Sequence, residues 1–355
     1  MAETRHELME EFRDRPIRRR NAGEREELRR SKPLDLARSI VEHTARRVEA
    51  SRKLLARAFF RGDCHSRSQH SDGIGTVAET AEMARAAGLD FQWVTDHWGL
   101  TQSAECRSHG LWVGQEPGTE HHHLGILGLD RTFTPSMQLA NDYARIVEMG
   151  GTPYIPHPAG WWPATVYTAE QKNALRLLPD GFMMEVINGA GNLATAYDYT
   201  DAAAVALWDE LLCDGRHVHG MGNTDAHSPN QIGIVWNGVY APRCDEASIL
   251  QALRTGRSFA SEAPVLDLRV GRTAMGGVIR DRAAAGPLTL RVADAAGLLQ
   301  VRIVADGKVR RRWHPDGQTL FAHEQPLPAY VKRYVRIEAI GMDGRRAFSN
   351  PVYVR

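Results

Sequence analysis

The sequence predicts an α/β fold, and three observations carry that expectation. Between about residues 59 and 260, short apolar runs alternate with amphipathic stretches, the pattern of strands joined by crossover helices. Ahead of it, residues 1–58 read as a charged helical extension. Behind it, residues 265–355 show alternating β-type runs separated by Gly, Asp and Pro, which predict a small β-sandwich. A chain of 355 residues exceeds what one core usually organises, so a main domain over 59–264 between these flanking parts is expected.

The extension is rich in Arg and Glu, and from Leu34 onward Leu36, Ile40, Val41 and Val48 recur at helical spacing. A helix with one apolar face follows, solvated or in contact with a second copy, so a homo-oligomer through these helices is expected. The basic run Arg18-Arg19-Arg20 is diluted by acidic neighbours. Over the whole chain 44 Lys plus Arg meet 43 Asp plus Glu, a net charge of +1. That balance gives no reason to expect nucleic acid or a membrane surface as partner and leaves a small-molecule substrate. No stretch approaches the ~20 apolar residues of a spanning helix and the N-terminus has no apolar signal region, so a cytoplasmic location is expected. Cys64, Cys106, Cys213 and Cys244 are scattered without a CxxC pair, which predicts reduced thiols.

The central segment places its polar residues at predicted strand ends. After the Ser71-Asp72-Gly73 turn, a helix from Val77 to Ala87 stops at Gly88, and the strand Phe91-Gln92-Trp93-Val94 then runs into Thr95-Asp96-His97. A second helix, near Met137 to Glu148, closes at Gly150-Gly151 and leads through Pro153-Tyr154-Ile155-Pro156 to His157.

Five segments together concentrate ligand-type side chains. They are Asp63-Cys64-His65-Ser66-Arg67-Ser68-Gln69-His70-Ser71-Asp72-Gly73, then Thr95-Asp96-His97, then Glu116 with His123, then His157-Pro158, and finally Asn223-Thr224-Asp225-Ala226-His227-Ser228. Any one of them is weak, since a lone histidine is as often a satisfied hydrogen-bonding residue and Ser-Asp-Gly is a good turn. Side chains at the ends of strands in barrel-like α/β folds converge on one mouth, so the five can share a pocket. Mixed imidazole and carboxylate ligands suit zinc, manganese or iron.

On these motifs the chain resembles, over roughly Arg61 to Ala260, the polymerase and histidinol phosphatase superfamily. Asp63, His65, Ser71, Asp72 and Gly73 keep the spacing of its first motif, Thr95-Asp96-His97 matches the second, Glu116 with His123 the third, His157-Pro158 the next and Asp225-Ala226-His227 the last. The resemblance implies a distorted (β/α)7 barrel, two or three divalent metal ions, and hydrolysis by a metal-activated water. By position it implies one ion on His65, Glu116 and Asp225, a second on Glu116, His123 and His157, and a third on Asp72, His97 and His227, with Glu116 bridging the first two. Asp225 is expected to orient the nucleophile, and His227, His97 or a metal-bound water to move a proton.

The departure is Arg67, which stands where the superfamily has a ligand histidine, and a guanidinium cannot coordinate. Four readings are open. The first ion is weak or absent, His70 takes over as ligand, Arg67 grips an anionic substrate group, or Arg67 is a structural partner of Asp63. His121 or His122 replaces His123 if the register slips. The His70-Ser71-Asp72-Gly73 form and the Ser349-Asn350-Pro351-Val352-Tyr353-Val354 ending resemble the carbaryl hydrolase subgroup. The expected substrate is a small phosphoester. Alternatives are a carboxylic ester, amide or carbamate, and, from another class, a degenerate binding module. Trp98, Trp161 and Trp162 wall the pocket or pack elsewhere. Glu185 orients a ligand imidazole or is solvated. His217, His219, His314 and His323 are expected to be structural or surface residues.

Overall fold

A computed structural model describes residues 21–30, 34–118, 122–136, 138–160, 167–189 and 197–355, with backbone alone at 29 and 30. Two helices open it, α1 (Ala22–Arg30) and α2 (Leu34–Leu55). In α2, Asp35 in the first turn and Arg52 and Lys53 in the last complement the helix dipole. Its buried face, Ala37, Val41, Thr44, Val48, Ser51 and Leu55, recurs at helical spacing and packs within the chain. Arg47 on the same face forks onto Asp294 (Nε to Oδ1 2.6 Å, Nη2 to Oδ2 2.5 Å). Leu36, expected on the apolar face, is instead exposed. None of the described helices is long and apolar enough to cross a membrane.

Seven strands then follow in an order that is also their order in the sheet: β1 (Phe60–Asp63), β2 (Phe91–Val94), β3 (Trp112–Gln115), β4 (Gly125–Leu127), β5 (Thr152–Ile155), β6 (Phe182–Asn188) and β7 (Val218–Asn223). Among the described residues their connections carry α3 (Val77–Ala86), α4 (Ser103–Ser108), α5 (Leu139–Glu148), α6 (Ala169–Ala174) and α7 (Tyr199–Cys213). Local chemistry sets the helix starts. Thr76 accepts from the Glu79 N–H while Glu79 reaches back to the Thr76 N–H, and Asp198 with Asp201 does the same for α7.

Strands β1, β2 and β3 are mutually parallel, as are β5, β6 and β7, whereas β4 is antiparallel to both its neighbours. Six strands therefore deliver their C-terminal ends to one end of the sheet, and the reversed β4 delivers its N-terminal end there.

Beyond β1 the sheet continues through antiparallel β8 (Trp236–Val239) and β9 (Ser258–Ser261), with α8 (Glu246–Arg254) between them. The remaining strands are β10 (Val265–Val270), β11 (Thr273–Ala274), β12 (Val278–Ile279), β13 (Leu288–Ala293), β14 (Leu298–Ala305), β15 (Lys308–Trp313), β16 (Leu320–Gln325), β17 (Tyr334–Gly341), β18 (Arg346–Ser349) and β19 (Val352–Val354). Strands β10, β11, β13 and β16 form a second sheet, and the others extend the first through the β9–β18 pair. The two sheets share one apolar core, with Leu266, Leu268, Leu290 and Val292 on one side and Val301, Ile303, Val335 and Ile337 on the other.

Among the described residues the expected distorted barrel is not closed, because β7 ends the sheet and pairs with β6 alone. Side chains occupy its free edge in place of a strand. Tyr353 Oη bonds both the N–H and the C=O of Val218 (3.0 and 2.9 Å). Asn350 does so at Gly220 (2.7 and 3.1 Å) and Asn237 at Gly222 (3.0 and 2.7 Å). Alternate residues of a strand point their polar groups the same way, so three side chains satisfy the whole edge. Two of the three come from the C-terminal strands and the segment before β19.

Replacing Asn350 by Ala removes these bonds and its bonds to Ser258 (both 3.0 Å) from a buried site. It is expected to cost about 3 kcal/mol in urea unfolding, and a loss below about 1 kcal/mol contradicts this account of the edge. Next to it, burial, aided by His217, lowers buried His219 to about 4. The unfolded value is about 6.5, so the neutral ring contributes stability above that pH, and this is lost as pH falls toward about 4. Between pH 7 and 5 a His219→Gln variant should lose about 2 kcal/mol less than wild type, and equal losses contradict the assignment.

Candidate metal centre

At the end of the sheet where six strands finish, the segments after β1 and after β7 are tied together. Asp63 accepts from the backbone N–H groups of Thr224 and His65 (both 3.1 Å) and from the Thr224 hydroxyl. The Arg67 N–H then bonds Ala226 O (2.7 Å) and the Ile74 N–H bonds His227 O (2.9 Å). His65 and Arg67 thus lie beside Asp225 and His227. Asp96 after β2 accepts from Ser68 N and Oγ (2.7 and 2.6 Å) and from Ser71 Oγ, which brings Asp72 toward His97. The motif residues Asp63 and Asp96 thus shape the loops.

The centre of the cluster is Glu116, buried just past β3. Its Oε1 lies 3.0 Å from His157 Nε2, 3.3 Å from His123 Nδ1 and 3.5 Å from His65 Nε2. The histidines arrive from the end of β5, the start of β4 and the end of β1. Glu116 Oε2 meets Arg67 Nη2 and is 3.5 Å from His97 Nδ1. A second focus is Asp72, with His227 Nε2 3.2 Å and His97 Nε2 4.0 Å from its carboxylate. His65, Glu116 and His157 form one compact trio whose ligand atoms all lie within 4.8 Å of one another. His65 and His123 both approach Glu116 Oε1, but His65 Nε2 already accepts from Arg67 Nη2 (2.8 Å) while buried His123 Nδ1 makes no hydrogen bond. His123 is therefore the ring with a lone pair to offer.

The protonation pattern suits cation binding. Burial, reinforced by Arg67 and neighbouring histidines, pushes His97 and His123 well below the ordinary imidazole value. Burial holds His157 down at about 4 despite Asp225 and Glu185. Burial acts to raise the carboxyls of Asp72 and Asp225, and the surrounding cations and imidazoles outweigh it and keep both well below the carboxylate range. Against desolvation, Asp72 and Asp225 raise His227. The neutral rings of His97, His123 and His157 facing the ionised carboxylates of Asp72 and Asp225 suit a divalent ion, whereas His227 would give up its proton on binding one.

Tautomers point the same way. His97 donates Nδ1–H to Glu116 O (2.6 Å) and His227 donates Nδ1–H to Asp225 O (2.8 Å), which leaves both Nε2 atoms directed at Asp72. His65 donates Nδ1–H to Glu185 Oε1 (2.7 Å). Glu185 also accepts from His157 N (2.7 Å) and Asn223 Nδ2 (2.9 Å), and despite burial these interactions, His65 foremost, hold its carboxyl below its usual range. Backbone strain accompanies the cluster: Trp98, His157 and Asp225 take φ of 63°, 27° and 47°, conformations costing about 1–3 kcal/mol each and persisting only where the surroundings enforce them.

Of the three expected ligand sets, Glu116–His123–His157 and Asp72–His97–His227 each gather on one carboxylate, while Arg67 lies within the set His65–Glu116–Asp225. Arg67 is 3% exposed, Nη1 donates to Thr95 O, and Nη2 also lies 3.4 Å from Asp225 Oδ1. Two readings of this residue fall away. It pairs with Glu116 rather than Asp63, and it presents no open face with which to grip an anionic substrate.

His70 does not replace the lost ligand, since its ring faces Thr101 Oγ1 (3.1 Å) and Glu105 Oε2 (3.0 Å). His122 turns to Asp142 (3.2 Å), and His121, Trp161 and Trp162 lie outside the described residues. Trp98 is exposed, its ring centroid 5.5 Å from that of His97. His217 stacks on Tyr353, and His314 and His323 lie in the C-terminal strands and their turns, away from the cluster. Two supporting residues escaped the sequence reading. Tyr167 bonds His123 O (2.5 Å) from a loop with no motif, and Asn223, though within a quoted segment, carried no signal beyond its position beside Asp225.

No protein-family model and no curated protein matches the chain by sequence. Solved structures give distant likenesses. A two-domain protein from Bacteroides vulgatus ATCC 8482, described as containing a predicted PHP-like metal-dependent phosphoesterase, shares 14% identity at a TM-score of 0.46, over 83% of this chain and 94% of that one. An amidohydrolase from Chromobacterium violaceum, with bound sulfate and no metal, shares 17% at 0.34, over 47% and 88%. A putative metal-dependent phosphoesterase from Bifidobacterium adolescentis ATCC 15703 shares 14% at 0.34, over 48% and 88%. Likenesses this distant leave the site's own geometry to carry the functional reading.

The geometry separates the neighbouring histidines experimentally. After reconstitution with zinc, His123→Ala should carry one ion fewer per chain than wild type by elemental analysis, whereas His122→Ala and His70→Ala should match wild type. Loss from either of the latter, or none from the former, contradicts the placement.

Proposed function

We propose that this chain is a metal-dependent hydrolase of a small ester, with a phosphoester as the leading substrate class. The observation that carries the reading is the convergence of His123 and His157 on Glu116 and of His97 and His227 on Asp72, all at one end of the sheet. These six residues would hold the ions. When bound, such ions polarise the substrate and lower the pKa of water so that it attacks at neutral pH.

The chain's own side chains then have limited tasks. Asp225 is buried and ionised, its Oδ1 lying 3.1 Å from His65 Nε2 and 3.4 Å from Arg67 Nη2, and it is the carboxylate assigned here to orienting the attacking water. Glu185 fixes the ring of His65 and the backbone of His157. Trp98 and His227, whose side chain is 33% exposed, mark the mouth. His227 Nε2 faces Asp72 as a ligand atom, and any proton it carries leaves when an ion binds. His97, His123 and His157 are held neutral and Asp72 and Asp225 ionised, so none of these five is a ready proton donor. The leaving group takes its proton from water, so substrates with acidic leaving groups are favoured.

Phosphoester hydrolysis keeps the multi-ion arrangement as its support, while buried Arg67 no longer adds to it. The assay is a panel of nitrophenyl phosphates and carboxyl esters with zinc, manganese or iron. Turnover is expected on phosphates, falling steeply as the leaving group becomes less acidic, and Asp225→Ala should lower it on the order of 100-fold. Turnover of carboxyl esters alone moves the substrate to that class. Turnover unaffected by chelation rejects the metal-dependent reading, and turnover unaffected by Asp225→Ala rejects the role given to Asp225.

A further inference from the structure

We infer that the guanidinium of Arg67 occupies the place of a metal ion, so that the chain holds two exchangeable ions and one built-in cation. The inference rests on the proposed metal-dependent reading and specifies its centre. His65, Glu116 and Asp225 each direct a ligand atom at the same nitrogen, Nη2 of Arg67. His65 Nε2 lies 2.8 Å from it, Asp225 Oδ1 3.4 Å, and Glu116 Oε2 is in direct contact. A metal at this point needs those three atoms, and they face a nitrogen that carries hydrogens.

The guanidinium is also anchored. Its other terminal nitrogen donates to Thr95 O, the Arg67 backbone N–H donates to Ala226 O (2.7 Å), and the side chain is buried. Arginine suits the role because it keeps its proton in proteins and presents several N–H groups in a rigid plane. It brings one positive charge where an ion brings two.

Three consequences follow for the site. Glu116 pairs with the guanidinium through Oε2 and would hold an ion together with His123 and His157, where the superfamily resemblance implies that it bridges two ions. His65 orients Arg67 and is not an ion's ligand. Chelation removes two ions and leaves the built-in charge, so the cluster keeps its arrangement when metal is stripped.

The test is zinc content per chain, by elemental analysis after reconstitution and removal of loosely bound metal, on wild type, Arg67→His and His65→Gln, each checked for folding by circular dichroism. The expected contents are two, three and two. Three ions in wild type, no gain in folded Arg67→His, or loss of an ion in His65→Gln each overturn the inference and leave the hydrolase reading standing. Should Arg67→His not fold, wild type and His65→Gln still decide. Absence of zinc from all three overturns the metal-dependent reading and the inference with it.

Discussion

An arginine only 3% exposed is tolerable only if its charge is answered where it lies, and at Arg67 that requirement organises the whole end of the sheet. Glu116 answers it directly, Asp225 and Asp72 answer it at slightly greater distance, and His65 accepts one of its hydrogens. Removing one partner of such a buried pair typically costs about 3–5 kcal/mol, more than the strain stored at any one residue nearby. The left-handed backbones of His157 and Asp225 are thereby affordable, because the network that holds Arg67 also holds them. The field of the same cation helps keep His97 and His123 neutral, which is the ligand-competent state.

The cluster depends in turn on an edge that is satisfied without being paired. Side chains of Asn237, Asn350 and Tyr353 cap alternate residues of β7, whose end carries Asn223 and then Asp225. The C-terminal strands therefore hold the strand that brings Asp225 and His227 to the site, and their sheet shares its core with α2 through Val48 and Leu55. Fold and site are coupled through hydrogen bonds that no strand ladder provides.

Much of this was legible in the sequence because parallel strands put their last residues at one end. A histidine or carboxylate just past an apolar run was enough to nominate His65, His97, Glu116, His157 and Asp225. His123 obeys a different rule, since it precedes β4, and its place depends on that strand being reversed, which neither length nor periodicity encodes. The open edge was equally invisible. Asn350 and Tyr353 stood out only as part of a familiar ending, and what they bind is a strand more than a hundred residues earlier. Arg67 marks the limit most clearly. Four readings suited its position in the motif, and the choice among them turned on Glu116 and Asp225, far away in the chain. Leu36 shows the same limit on a helix: its spacing matched Val41 and Val48, yet only those two are covered.

Anomalous diffraction at the zinc edge from crystals of the wild-type protein tests the central claim most directly, because it locates ions without altering a residue. The account predicts two peaks per chain, one among Glu116, His123 and His157 and one among Asp72, His97 and His227, with guanidinium density between His65 and Asp225. A peak between His65, Glu116 and Asp225, with Arg67 turned away, would contradict it.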